Sequence, residues 1–311
     1  MGTRKTKNIL SGAVGLNNAR DPVRIKYDPE TGIGELAIAY NVNIGDNHRI
    51  SRVKGFTATS RNESCHSLWP RENPGFNCFF VSGGSIYRLN PDYSRTGIRS
   101  GLTLNARMSY VGVSDGKNDN IYYTNGYELG IIRENISYPW EKGEYVGPET
   151  KKVFYDPPIG TLLEVYNGHM FVVQGNNVYY SEKFAYDRHR MLNLPFPHDI
   201  TMFRAIDDGI YVGTEREIYF LNGEDPESFV LRRKADYGVI RGTDVLTNGD
   251  KIGKDSQYFG KVVVWTTAKG ICLGAVGGQF KNLTWKNLRY PNSIQGAGLI
   301  VKDRYVCLLE S

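Results

Sequence analysis

One phrase returns five times along this chain, and it is the phrase of a β-hairpin. It reads Phe79-Phe80-Val81-Ser82-Gly83-Gly84-Ser85-Ile86-Tyr87, then Ile121-Tyr122-Tyr123-Thr124-Asn125-Gly126-Tyr127-Glu128-Leu129. It comes back at Phe171 to Tyr179, at Ile210 to Tyr219 and at Val263 to Ile271. Each copy is an apolar run, a small polar turn and a second apolar run, the pattern of two antiparallel strands joined by a tight turn. The aliphatic residues that open the second run, Ile86, Leu129, Val178, Ile218 and Ile271, stand 43, 49, 40 and 53 residues apart. Leucine-rich, ankyrin and tetratricopeptide repeats are shorter and carry helices. A strand repeat of about 40 to 50 residues is the period of a β-propeller blade.

The intervals between hairpins hold further strands. Ala106 to Val113, Thr161 to Tyr166, Ile200 to Ile206 and Ser293 to Val301 each precede a hairpin across a Gly, Asn or Asp turn, so a blade has at least three strands and room for a fourth. Helical signal is scarce. Only Ser181 to Leu194 and Pro226 to Tyr237 run long enough without Gly or Pro to hold three turns, and neither carries an apolar stripe. The 35 Gly and 13 Pro read as turn chemistry, and 12% aromatic residues argue against disorder. Near the C-terminus, Gly298 to Leu309 begins a sixth unit without its partner strand. An open apolar edge is costly, and a ring closes if an N-terminal strand pairs there; Glu35 to Tyr40 is the one left over. The expectation is all-β: a single β-propeller of five or six blades over residues 34–311, closed by its N-terminal and C-terminal strands, after an arm over residues 1–33. Two β-sandwiches or a long barrel would show similar turn spacing.

The chemistry is sparse. There is no Gly-x-Ser-x-Gly elbow, His-Glu-x-x-His, Walker loop or dinucleotide-binding glycine pattern. Asp115, Asp119, Asp207, Asp208 and Asp303 fall in blade turns, where Asp is favoured without catalysis. Cys65, Cys78, Cys272 and Cys307 read as isolated reduced thiols, and Cys65, His66 and Cys78 lack the fourth ligand of a tetrahedral metal site. The five histidines share no ligand spacing. No catalytic residue, cofactor or metal is therefore expected. No run reaches the roughly 18 apolar residues of a membrane helix, and Met1 to Ser11 is basic and polar rather than a signal peptide.

Charge offers two local features. The balance of 38 Lys and Arg against 33 Asp and Glu leaves +5, far from the surplus of a dedicated nucleic-acid binder. Within it, Arg4, Lys5 and Lys7 make a basic arm, and Arg232, Arg233 and Lys234 a basic cluster. Both are candidate contacts with phosphates or with an acidic protein surface, and both would weaken with salt.

The N-terminal region carries a more specific signal. Gly15-Leu16-Asn17-Asn18 is followed by Asn41-Val42-Asn43-Ile44, by Arg52-Val53-Lys54-Gly55-Phe56 and by the first hairpin. This order resembles the tail-hub, tail-nozzle or stabilisation proteins of short-tailed bacteriophages, in which Gly-(Ile/Leu)-Asn-Asn, Asn-Val-Asp-Ile and Arg-x-Arg-x-Gly-(Phe/Tyr) phrases precede a propeller. Asn43 stands where Asp is commoner, and Lys54 breaks the Arg-x-Arg form. The resemblance implies a non-enzymatic virion protein, assembled in the host bacterial cytoplasm. It would sit in several copies, commonly six, around the channel through which the genome leaves. The implied partners are copies of itself, a portal, adaptor or other tail protein, tail fibres, and double-stranded DNA touched transiently and without sequence preference. A carbohydrate-binding or glycan-cleaving propeller of the tail is the alternative.

Overall fold

The computed structural model describes residues 12–45, 47–55, 64–70, 78–114, 119–143, 152–252, 257–290, 293–301 and 303–310. Among these the chain forms strands and four short 3-10 turns, with no α-helix. Five strands precede the first repeat: β1 (Gly12–Leu16), β2 (Tyr27–Asp28), β3 (Ile33–Leu36), β4 (Val42–Ile44) and β5 (Ile50–Arg52). In the first sheet β3 lies between β1, to which it is parallel, and β2, to which it is antiparallel; β4 pairs with β5.

Five four-stranded meanders follow, each in sequence order. Sheet one is β6 (Cys65–Pro70), β7 (Cys78–Ser82), β8 (Ser85–Leu89) and β9 (Arg95–Arg99). Sheet two is β10 (Ser109–Ser114), β11 (Asp119–Thr124), β12 (Leu129–Arg133) and β13 (Ile136–Tyr138). Sheet three is β14 (Leu162–Tyr166), β15 (His169–Gln174), β16 (Asn177–Glu182) and β17 (Ala185–Pro195). Sheet four is β18 (Ile200–Ile206), β19 (Gly209–Thr214), β20 (Ile218–Asn222) and β21 (Val230–Ala235). Sheet five is β22 (Val245–Asn248), β23 (Lys261–Thr267), β24 (Gly270–Ala275) and β25 (Gln279–Asn282). A two-stranded sheet, β26 (Gly296–Val301) and β27 (Arg304–Leu309), comes last.

Every copy of the repeated phrase is the second and third strand of a four-stranded sheet, and the strands expected before the hairpins are β10, β14, β18 and β26. The fourth strand absorbs both stretches once long enough for a helix, in β17 and β21. The turns follow from residue type. Asn167 (φ 48°) and Gly168 (φ 82°) join β14 to β15, the two consecutive left-handed residues that a two-residue hairpin requires.

Why the sheets stack is legible in single strands. In β19, Ile210 and Val212 enter a cluster with Phe171 and Val173 of sheet three, while Tyr211 between them enters one with Val263 and Trp265 of sheet five. Side chains alternate across a strand, so an uninterrupted apolar run needs a sheet on each face. The same division holds in β11, where Ile121 and Tyr123 face sheet one and Tyr122 faces sheet three, and in β15. Trp265 is fully buried between Tyr211 and Phe280, with ring centroids 5.7 and 6.0 Å away. The all-β architecture of stacked four-stranded meanders, the building unit of a propeller, is thus what the repeat foretold.

One expectation fails at the chain ends. Glu35 to Tyr40 does not pair with the last strand: Glu35 and Leu36 belong to β3, and β27 pairs only with β26 among the described residues. The reason is polar. Buried Asn17 donates to the Glu35 carboxylate at 2.9 Å, which holds this segment against β1. The ends meet at Asn18 and Arg304 instead, and the Asn18 N–H donates to the Asn287 carbonyl at 3.0 Å. Asn18 donates to the Arg289 carbonyl at 2.9 Å and accepts from its N–H at 2.8 Å, and Arg304 donates to the Asn43 amide oxygen. The outward face of the last hairpin stays open, with Leu299, Val301, Val306 and Leu308 between 43% and 73% exposed.

Candidate functional site

Arg4, Lys5 and Lys7 lie outside the described residues. Arg232, Arg233 and Lys234 lie on β21, the outermost strand of sheet four, and only part of their charge faces outward freely. Arg233 pairs with Glu217 at 2.9 Å, and Glu217 also accepts from the Tyr219 hydroxyl. Lys234 sits 5.6 Å from the Phe220 ring centre, and burial, assisted by Arg232, pushes its pKa below the usual lysine value. Arg232 is exposed, and no acidic group pairs with it among the described residues. Basic side chains on an open sheet edge also guard it against pairing with another chain.

The chemistry-bearing cluster is elsewhere, where the first strands of all the sheets converge. A cavity of about 180 Å³ is lined by Leu68 of β6, Ser109 of β10, Leu162 of β14, Arg204 of β18, Asp244 just before β22 and Gly298 of β26. Six successive units thus contribute to one space. Arg204 donates to Asp244 at 2.6 Å and lies 3.6 Å from Glu164 of β14. Burial opposes its charge, but the two carboxylates outweigh burial and raise its pKa, so the guanidinium stays charged. Arg107 reaches in from the loop before β10 and donates to the carbonyls of Gly296, at 2.8 Å, and Gly242, at 3.3 Å. Arg241 donates to the Ile200 carbonyl at 3.4 Å.

Local backbone makes room for this. Gly242 has φ 79°, and a Cβ there would collide with the Arg107 guanidinium. A Cβ at Gly298 would strike the Thr243 carbonyl, so glycine lets β26 lie against the segment before β22. None of these residues stood out in the sequence, because they come from five separate segments without a motif. A signal did exist: Glu164 and Arg204 are charges inside otherwise apolar first strands.

A second polar cavity, of about 380 Å³, lies between sheets three and four. There His169 has one ring nitrogen 2.8 Å from the Ser181 carbonyl and the other 3.9 Å from Asp225, while Arg190 bridges Glu182 and Glu227. Two of the turn carboxylates serve structure: Asp207 accepts from the Lys261 N–H at 2.8 Å and Asp208 from the Gly277 N–H at 2.6 Å, stitching sheet four to sheet five, while Asp115 lies outside the described residues. Among the described residues no cluster of three His, Cys, Asp or Glu could hold a metal ion, and no helix is long and apolar enough to cross a membrane.

No family model matches the chain, and no curated protein matches it in sequence. Solved structures overlap with it only loosely. A streptogramin B lyase is 12% identical at TM-score 0.46, over 82% of this chain and 78% of that one. The virginiamycin B lyase of Staphylococcus aureus is 12% identical at TM-score 0.46, over 79% and 84%. BBS1N, solved in complex with ARL6DN, is 10% identical at TM-score 0.49, over 86% of each. Likenesses at this level carry no argument about chemistry or partners.

Proposed function

We propose that this chain is a structural component of a short-tailed bacteriophage tail, a hub, nozzle or adaptor whose copies ring the channel for genome ejection. In this reading the molecule is a six-bladed propeller of five complete blades and a two-stranded sixth, and its N-terminal segment locks the ends together. The observation that carries the reading is where the family-like phrases fall. Asn18 of Gly-Leu-Asn-Asn holds Arg289, and Asn43 of Asn-Val-Asn-Ile takes a hydrogen bond from Arg304. Both phrases therefore work as clasps between the beginning and the end of the chain.

The axial cavity constrains the mechanism. About 180 Å³ admits a few waters, whereas the major groove of a duplex alone is about 12 Å wide. DNA would pass between copies, not through one propeller. A near-neutral balance suits a wall along which DNA slides, since every phosphate contact adds affinity and salt-sensitive drag.

The glycan reading has one observation in its favour. Tyr180, Glu182, Asp225 and Glu227 surround the cavity between sheets three and four. Tyr180 is only 8% exposed, however, and Arg190 engages both Glu182 and Glu227. Neither a stacking platform nor a free pair of carboxylates is left for a sugar.

The basic arm is the proposed tie to an acidic connector surface. Deleting residues 1–7 is expected to abolish binding to purified tails or connector rings in co-sedimentation, with an unchanged β-sheet circular dichroism spectrum. Undiminished binding by the shortened chain rules the arm out as the tie.

A further inference from the structure

Three features compete for an unassigned role: the axial arginine cluster, the His169 cavity and the open face of the last hairpin. The His169 cavity is internally ion-paired, and nothing shows what covers the hairpin. The axial cluster has an imbalance of charge that neither of the others has.

Arg107, Arg204 and Arg241 bring three guanidinium groups to one cavity and Asp244 brings a carboxylate, while a second carboxylate, Glu164, lies 3.6 Å from Arg204 without lining the cavity. Arginine stays protonated in proteins, so one positive charge is left over. Both carboxylates are engaged by Arg204, and burial pushes the Glu164 carboxyl upward against the pull of that arginine, which only adds to the excess. Arg107 and Arg241 meet backbone carbonyls alone. Each guanidinium carries five N–H donors in a fixed plane; backbone carbonyls occupy two on Arg107 and one on Arg241. Burial lowers the Arg107 pKa against the opposing pull of Asp244, and repulsion from Arg241 and Arg204 adds to the lowering. The groups therefore feel one another across the cavity. Charges held together away from bulk water are costly unless a counter-charge joins them.

We infer that the axial cavity is a binding site for a small carboxylate anion, held between the guanidinium groups of Arg107 and Arg241. Three features select this ligand class. A negative charge offsets the excess. Two coplanar oxygens match the guanidinium fork. The cavity, about 180 Å³, takes a molecule of a few heavy atoms and excludes a polymer. Solvent reaches the site, since the Arg204 side chain keeps 32% of its surface exposed. The site stands apart from the tail assignment.

Isothermal titration of the full chain with sodium acetate, against acetamide and inorganic phosphate at matched ionic strength in chloride, tests the inference. Saturable one-to-one acetate binding is expected, with no binding of acetamide and weaker binding of phosphate. Arg241→Gln is expected to weaken acetate binding by about tenfold or more, the worth of a charge-assisted hydrogen bond. Arg107→Gln also removes ties to Gly242 and Gly296, so a failure to fold would obscure its result. Gly242→Ala displaces the same guanidinium with its charge intact and is expected to weaken acetate binding in a chain whose thermal transition remains cooperative. Acetamide binding as well as acetate, phosphate binding more tightly, wild-type affinity in Arg241→Gln, or no saturation by about 100 mM acetate each overturns the inference.

Discussion

Arg204→Ala should destabilise the fold by about 3 kcal/mol, read as a lower denaturant midpoint at an unchanged m-value. The mutation removes the one cation that both Asp244 and Glu164 engage, at 2.6 and 3.6 Å. Those carboxylates are only 7% and 13% exposed, so each loses the cation that offsets its burial. The penalty is that of orphaned buried charge, not of the contact itself, which makes a second result informative. Adding Glu164→Gln to Arg204→Met should recover part of the loss, since it removes one orphaned carboxylate while Asp244 keeps an opposite charge beside Arg107. A loss below about 1 kcal/mol in the single variant would mean that water screens the cluster as it would a surface ion pair.

Acid should weaken the protein before its carboxylates titrate, through His189. This residue, fully buried in β17, lies against Trp140 with ring centres 6.0 Å apart. Burial lowers its pKa from 6.5 to about 4, against the opposing effects of the Tyr186 carbonyl and Asp187. Because the unfolded chain binds the proton more readily, stability is full above about pH 6.5 and falls as pH drops towards about 4. The integrated loss is about 3 kcal/mol. Urea unfolding at a series of pH values between these limits should show it, and His189→Gln should flatten the slope. An equal slope in the variant would assign the acid sensitivity to other groups.

How much of this was written in the residue order differs by level. The hairpins were legible because Val, Ile, Tyr and Phe runs flank short polar turns, as at Val172 to Val178, and because the interval between them repeats. That two apolar faces share one strand was legible too, since Ile210-Tyr211-Val212 has no polar position to give to solvent. The closure was not. Glu35 to Tyr40 has strand-like composition, and nothing local reveals that Asn17 will claim Glu35 while Asn18 claims a carbonyl 271 residues away. The arginine–carboxylate cluster was equally hidden, because Arg107, Glu164, Arg204, Arg241 and Asp244 are brought together by the stacking of sheets and not by spacing. The basic run at Arg232 to Lys234 was legible as charge, but its ties to Glu217 and Phe220 depend on strand register.

In the proposed function, copies of this chain build a ring. Native mass spectrometry of the purified full-length protein, with imaging of the same particles, measures it most directly. A closed ring is expected, with a mass that is an integral multiple of the 35.0 kDa chain, six copies in all, and a lumen between copies. A stable monomer that binds or cleaves sugars would contradict it.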